Sequence, residues 1–369
     1  MSEGRPEALN MEVDGPGLAS AARRTQADLL EALAVAADSI ADDLADRLGM
    51  VAWEREEQIG LAQRRVSALS DGQGGRIGGA PIRIRERREQ PLEALELAWR
   101  GLRQGRPVHV ESEAGACPAV YRILRDMAEL LGTPGLTVSA PGRLDHPRAG
   151  WESGGVEPHA ARVALVQADA DLELAAHVLA RACLRRTGFD PRVVHQVITV
   201  GAAELLERNL RRLWVGARMG LVDDDTAFAG PVDDARAVRF LDLEASWRAR
   251  TDVSVVCPGG RLLRPGPQGR QFLAPALFRA APGAFEDGRI PELLGPMLLL
   301  RPVEAEGVGG VERAAAQAEA LLAAACAEGR DWMRFGVPPR GSVAGRRDRQ
   351  IHGALLAERL PPGLPEPRP

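Results

Sequence analysis

Residues 163–200 run VALVQADADLELAAHVLARACLRRTGFDPRVVHQVITV. Val163–Val166 is a short apolar run of strand length. Asp169–Arg185 places Leu172, Ala176, Leu179 and Cys183 on one stripe, the spacing of a helix with one buried face. Val193–Val200 is a second apolar strand. Strand, helix and strand in short steps form the pattern of a parallel α/β sheet.

The pattern continues on both sides. Downstream, Ala202–Val215 predicts a helix with Leu205, Leu206, Leu210 and Leu213 inward. Asp233–Arg248 and Val311–Ala327 also read as helices, and Val253–Val256, Leu273–Leu277 and Met297–Leu300 as strands. The end, from Pro361, is Pro-rich and reads as loose. Upstream, residues 141–160 are rich in Pro, Gly and His and mark a domain boundary. Before them come a strand at Leu136–Ser139, a helix at Pro118–Leu131 and a strand at Pro107–Val110. A helix carries Leu92, Leu95, Trp99 and Leu102, with Trp99 in the core, and ends at Gly105. Ile82 and Ile84 alternate with Arg83 and Arg85 as a half-exposed strand, and Arg87 and Arg88 extend the basic run; contact with an anionic ligand is one reading, and a solvated face or an interface is the favoured one, since sheet edges are often protected by charge. Two further helices precede it. One carries Leu29, Leu33, Ala37, Ile40, Leu44 and Leu48 and stops at Gly49; the other carries Ile59, Ala62, Val66 and Leu69. Ser70–Pro81 is a Gly-rich connector that does not fit GxGxxG. Residues 1–22 lack periodicity and read as a tail.

Composition limits the chemistry. Of 369 residues, 45% are apolar and 27% charged, as in a globular protein. All 47 basic residues are Arg, with no Lys anywhere, which excludes a Schiff base, a P-loop lysine and a pyridoxal phosphate anchor. A net charge of −4 argues against nucleic acid as a partner. No apolar run has the length of a membrane span, and the N-terminus has no apolar signal core, so the expectation is a cytoplasmic protein. Cys117, Cys183, Cys257 and Cys326 are far apart and read as reduced thiols. The six His are scattered without metal-ligand spacing, so no metal is expected.

In order along the chain, several blocks resemble the aldehyde dehydrogenase superfamily. ALVQADADLELAA (164–176) resembles its strand and helix entry in the substrate domain, and RTGFDPRVVHQVITV (186–200) its nucleophile turn and following strand. GLVDDDTAFAGPV (220–232), QFLAPALF (271–278) and PELLGPMLLLRPV (291–303) follow in family order, then FGVPPRGSVAGR (335–346). ERREQPLEALELAWRGLRQGRPVHVES (86–112) parallels a block of the N-terminal half. The resemblance runs from about Ala27 to about Leu356. Typical members are longer, and the shortfall falls between Gly142 and Glu157 and between Val303 and Phe335. The implied fold is α/β, with a degenerate Rossmann-type nucleotide domain and a catalytic-like α/β domain. The expected organisation is a flexible tail at 1–24, a nucleotide-binding-like domain at 25–156, a catalytic-like domain at 157–335, and an oligomerisation-like segment with a Pro-rich tail at 336–369.

The same resemblance locates the chemistry, and most of it is missing. The family reaction needs a thiolate that attacks an aldehyde. Register from Gly188 puts Phe189 at the family's Gln and Pro191 at its cysteine. Cys183, eight residues upstream on a buried stripe, reads as structural. The oxyanion Asn corresponds to Glu89, whose charge would repel a developing oxyanion. Glu157 falls where the general base belongs, but without the family's glycine context; a solvated loop acid is the other reading. The lysine that hydrogen-bonds the adenosine ribose corresponds to Glu111, and the Phe-Thr-Gly-Ser segment falls in the shortfall around 142–156. Glu292 stands where a family Glu meets the nicotinamide ribose, or is kept to cap local backbone donors.

A pseudoenzyme follows, one that acts as partner, scaffold or regulatory subunit in a homo-oligomer or beside an active aldehyde dehydrogenase. No cofactor is expected; NAD or NADP is the one to test. Two alternatives stay open: an NAD(P)-dependent oxidoreductase of aldehydes or oxo groups using Glu157 and Glu292, and a small-molecule binding protein that reuses the substrate funnel.

Overall fold

The computed structural model describes residues 14–69, 78–87, 90–132, 135–143, 151–154, 162–201, 203–285, 290–304, 307, 309–327, 332–336 and 350–351. The chain divides into two compact units. The first comprises Met1–Arg47 and Glu56–Val156, the second Leu48–Arg55 and Glu157–Pro369.

The first unit holds a four-stranded parallel sheet of order β3-β2-β1-β4, with β1 Ile82–Glu86, β2 Val108–Ser112, β3 Leu136–Val138 and β4 Glu152–Gly154. Ile82, Ile84, Val108, Val110 and Leu136 are buried. Helix α5 (Glu93–Arg103) lies so close to this layer that a Cβ on Gly101 would come 2.9 Å from both Ile82 and Val108. Helix α6 is Pro118–Leu131.

Three expectations need correction here. Residues 1–22 were expected to form a tail, but α1 (Gly15–Arg24) is helical. Pro16 starts it, Leu18 and Ala22 are buried at i, i+4 spacing, and Trp99 Nε1 donates to the Ala22 carbonyl at 3.2 Å. Such a short helix is marginal alone and gains its stability from packing. Nor does β1 protect an edge, because β2 and β4 flank it. Its arginines are paired within the sheet: Arg83 with Glu111, and Arg85 with Glu113 at 3.1 Å. The long helix expected from Thr25 is two, α2 (Gln26–Val35) and α3 (Ala37–Leu48), separated by a turn at Ala36. Helix α4 is Ala52–Ser67.

The second unit is built on a seven-stranded sheet of order β13-β12-β5-β6-β11-β10-β7. Its strands are β5 Arg162–Val166, β6 Val194–Val200, β7 Val253–Cys257, β10 Ala276–Ala280, β11 Met297–Val303, β12 Trp332–Phe335 and β13 Gln350–Ile351. Only β7 runs antiparallel to its neighbour; the other pairs are parallel. A separate hairpin joins β8 (Gly260–Pro265) to β9 (Gln271–Ala274). Helices α7 (Leu172–Leu184) and α8 (Ala203–Gly216) cover one face through Leu179, Leu206, Leu210 and Leu213. Helices α9 (Asp234–Arg248) and α10 (Gly310–Ala327) cover the other, with Phe240 and Trp247 against Phe278 and Leu299, and Ala318 and Leu322 against Leu165 and Ile198. Asp171 and Asp233 cap α7 and α9 by accepting from backbone N–H groups of the first turn.

Both faces are covered, so β5, β6 and β11 are largely apolar, with His195, Gln196, Thr199 and Arg301 as buried polar exceptions. Among the described residues no helix is long and apolar enough to cross a membrane, and no group of His, Cys, Asp and Glu could hold a metal ion.

Candidate functional site

Helix α7 does not run directly into β6. Arg186 (φ 50°), Thr187 (φ 52°) and Gly188 (φ 74°) are left-handed in succession. For a non-glycine residue each such conformation costs of the order of 1 kcal/mol or more, so neighbours must enforce it. Within the second unit, the Glu54 carboxylate accepts from the Arg186 N–H at 2.5 Å and from the Val51 N–H at 3.2 Å. Thr187 Oγ1 donates to the Gly230 carbonyl at 2.6 Å. Gly188 lies against the backbone of Gly295 and Pro296.

Pro191 is set by the turn that follows. The Val193 N–H donates to the Asp190 carbonyl at 3.0 Å, closing a β-turn with Pro191 at its second position. There the fixed φ of proline is favourable. The Asp190 carboxylate accepts from the Arg192 N–H at 2.8 Å and faces Arg185 at 3.5 Å. Phe189 packs its ring against Gly295 with the Arg236 guanidinium 5.5 Å from its centroid.

Around this turn the titratable groups are buried and mutually compensating. Burial raises the Glu54 carboxyl to about 7, against the Arg186 and Val51 N–H groups and the Arg185 and Arg186 guanidiniums. Burial pushes Arg186 below its usual range, opposed by Asp190 and Glu54. Burial would raise Asp190 too, but Arg185, Arg186 and the Arg192 N–H outweigh it and hold the carboxyl below its ordinary value. Buried His195 is lowered to about 4 and hydrogen-bonds the Met297 carbonyl through Nδ1 at 2.8 Å.

Glu54 gives a pH prediction. A carboxyl raised in the fold binds its proton more tightly folded than unfolded. Its contribution is complete below 4.5 and is lost as pH rises through about 7. Glu86 in the first unit, also buried and raised to about 7, acts in the same direction. Denaturant unfolding of the wild type is expected to show falling stability from about pH 5 to pH 8. Glu54→Gln should flatten the second unit's part of that slope and leave the first unit's unchanged. Parallel slopes for variant and wild type would show that Glu54 keeps its ordinary value.

The remaining candidate residues are dispersed. Cys183 is fully buried; its Sγ donates to the Met297 carbonyl at 3.5 Å and burial pushes its thiol up. Cys257 is also buried. Glu292 is an exposed acid paired with Arg239, and its backbone carbonyl accepts from Trp247 Nε1 at 2.9 Å. Glu89 and Glu157 lie outside the described residues, as does the side chain of Cys326. Glu54, Thr187 and Asp190, which hold the turn, were not singled out from sequence. Glu54 carried no signal, because its partner lies 132 residues downstream.

Glu111 sits on β2 of the first unit, 1% exposed, with both oxygens taken by Arg83 at 2.7 and 2.6 Å. At the start of α6, the Asp43 carboxylate accepts from the Ala119 N–H at 2.9 Å and from Cys117 Sγ at 3.4 Å. The first unit's own carboxylate therefore takes the place an external anion would seek at that helix end. A buried, paired Glu111 supplies no donor to a ribose hydroxyl. These residues do not fit a dinucleotide held as the family holds it.

The architecture has clear counterparts among solved structures. A benzaldehyde dehydrogenase from Corynebacterium glutamicum superposes with a TM-score of 0.65 at 16% identity, over 88% of this chain and 78% of that one. A methylmalonate-semialdehyde dehydrogenase from Oceanimonas doudoroffii gives 0.66 at 15%, over 88% and 74%. This is the aldehyde dehydrogenase fold. A betaine aldehyde dehydrogenase from Staphylococcus aureus, solved with NAD+, gives 0.63 at 14%, over 87% and 76%. No protein-family model and no curated protein sequence matches the chain.

Proposed function

We propose that this chain is a pseudoenzyme of the aldehyde dehydrogenase superfamily, acting as a partner, scaffold or regulatory subunit of an oligomer. The observation that carries the proposal is Pro191. In the register of the sequence resemblance the nucleophile position falls at Pro191, in the turn between α7 and β6, and that turn is closed around a residue with no nucleophilic atom. The cysteine nearest in sequence, Cys183, is buried with its thiol pushed up, which is the environment of an inert structural cysteine. The Arg83–Glu111 pair supports the loss of NAD and NADP binding.

A fold kept without its chemistry still presents its surfaces, and assembly is the role that remains. The partner is a second copy of the chain or an active aldehyde dehydrogenase. Native mass measurement of the full chain, alone and co-expressed with an aldehyde dehydrogenase from the same source, tests this. A defined homo- or hetero-oligomer is expected. A monomer in both experiments would overturn the subunit role. The alternative oxidoreductase, relying on Glu292 as an acid–base group, is disfavoured by its exposed pairing with Arg239.

A further inference from the structure

β7 forms one edge of the second unit's sheet. Among the described residues it pairs with β10 on one side and with no strand on the other. An open edge offers N–H and C=O groups to any chain able to pair with it, and native proteins guard such edges with charge or proline. β7 reads Val-Ser-Val-Val-Cys and carries neither. Ser254 and Val255 are exposed, Val255 at 40%.

The register fixes which groups are on offer. The Ala281 N–H donates to the Asp252 carbonyl at 2.9 Å. Val253 then stands opposite Ala280, Ser254 opposite Arg279 and Val255 opposite Phe278. Antiparallel ladders alternate between bonded and non-bonded pairs, so the backbone of Ser254 turns to β10 and the N–H and C=O groups of Val253 and Val255 turn to the open side. After Val255 the register shifts, with Val256 as the extra residue, because Cys257 stands opposite Leu277. Such a bulge bends the strand and ends its straight part. The pairing surface is therefore Val253–Val255, with its two outward residues on either side of Ser254.

This surface is self-complementary. A two-fold axis at Ser254 sets Val253 of one copy against Val255 of the other, and the reverse, each as a hydrogen-bonded pair of an antiparallel ladder. Both pairs bring β-branched side chains together on one face. No like charges are forced to meet. Residues 253–257 are uncharged, and the ions that flank them are already matched, Asp252 by Arg250 before the strand and Arg261 by Asp234 beyond it.

We propose that β7 pairs with β7 of a second copy of the chain, antiparallel about a two-fold axis at Ser254, and joins two second-unit sheets into one. The inference rests on the subunit reading above and names a surface for it, apart from the 336–369 segment. A short strand pair by itself buries less than the roughly 1,200–2,000 Å2 of a stable interface. The dimer is therefore reversible, and its population rises with concentration.

Sedimentation equilibrium of the full chain over a range of concentrations tests this, with amide hydrogen exchange measured in parallel. A monomer–dimer equilibrium is expected, with exchange at Val253 and Val255 slowing as the dimer fills. Val255→Pro removes an outward donor, a change that an edge strand tolerates. Val255→Lys places a charge on the edge. Each should raise the dissociation constant about tenfold or more. Val35→Ser, at a residue 81% exposed in the first unit, should leave it unchanged. All three variants should melt as the wild type does at a concentration where it is monomeric. A dimer that both β7 variants leave intact, or that Val35→Ser weakens as much, would overturn the edge pairing and leave the subunit reading standing. So would a chain that is monomeric alone but joins an active aldehyde dehydrogenase. A monomer in both settings would overturn both.

Discussion

Arg83→Met is expected to destabilise the first unit by about 3 kcal/mol. Glu111 is 1% exposed and gives both oxygens to the Arg83 guanidinium. Removing the arginine leaves a carboxylate in a place that water barely reaches, and its desolvation is then uncompensated. His109 Nε2, 3.8 Å away, offers only a weak substitute. Replacing both partners, Arg83→Met with Glu111→Leu, should recover most of the loss, because the pair as a whole is close to neutral against an apolar replacement. Glu111→Lys should destabilise as well by setting two cations side by side, and should not bring nucleotide binding. Urea unfolding of the four proteins measures this. A single variant as stable as wild type would show that the pair is solvated.

Gly188→Ala is expected to remove about 3 kcal/mol or more from the second unit, or to prevent its folding. A Cβ there would lie 2.0 Å from the Gly295 carbonyl carbon and 2.3 Å from the Pro296 nitrogen, and the residue sits at φ 74°. Both obstacles are backbone, so no side chain can turn aside. Gly295→Ala makes a graded comparison. Its φ is 68°, but its Cβ would meet only the rings of Phe189 and Phe240 at 3.1 Å, which can shift. Thermal melts should rank wild type above Gly295→Ala and that above Gly188→Ala. The reverse order would mean that the turn is not seated on the 295–296 backbone.

The sheet of the second unit was legible because burial on both faces makes β5, β6 and β11 largely apolar, with His195, Gln196, Thr199 and Arg301 as buried polar exceptions, and α7 is striped between the first two. Two short strands, β4 and β8, were not. β8 carries Arg261, Leu262 and Leu263 on an exposed hairpin, and β4 is three residues inside a stretch of Gly, Pro and His. Neither has a period long enough to register. α1 was missed because Gly15, Pro16 and Gly17 hide a helix start, and only Leu18, Ala19 and Ala22 pack.

At the site, sequence register singled out Pro191 and Glu111, and nothing in it signalled what surrounds them. Glu54 lies on a charged helix and looks solvated. Its burial beneath Arg186 is a product of tertiary structure alone. The absent lysine likewise gained meaning from structure. Glu111 is an acid that the sheet pairs with Arg83, so it has a structural role of its own.

The central claim, a dehydrogenase fold without the dehydrogenase reaction, is tested most directly by incubating the full chain with a panel of aldehydes and NAD+ or NADP+. Reduced cofactor is followed by absorbance and protein mass in parallel. No reduced cofactor above the buffer rate and an unchanged protein mass are predicted. Saturable formation of NADH or NADPH, or an acyl adduct on any residue, would contradict it.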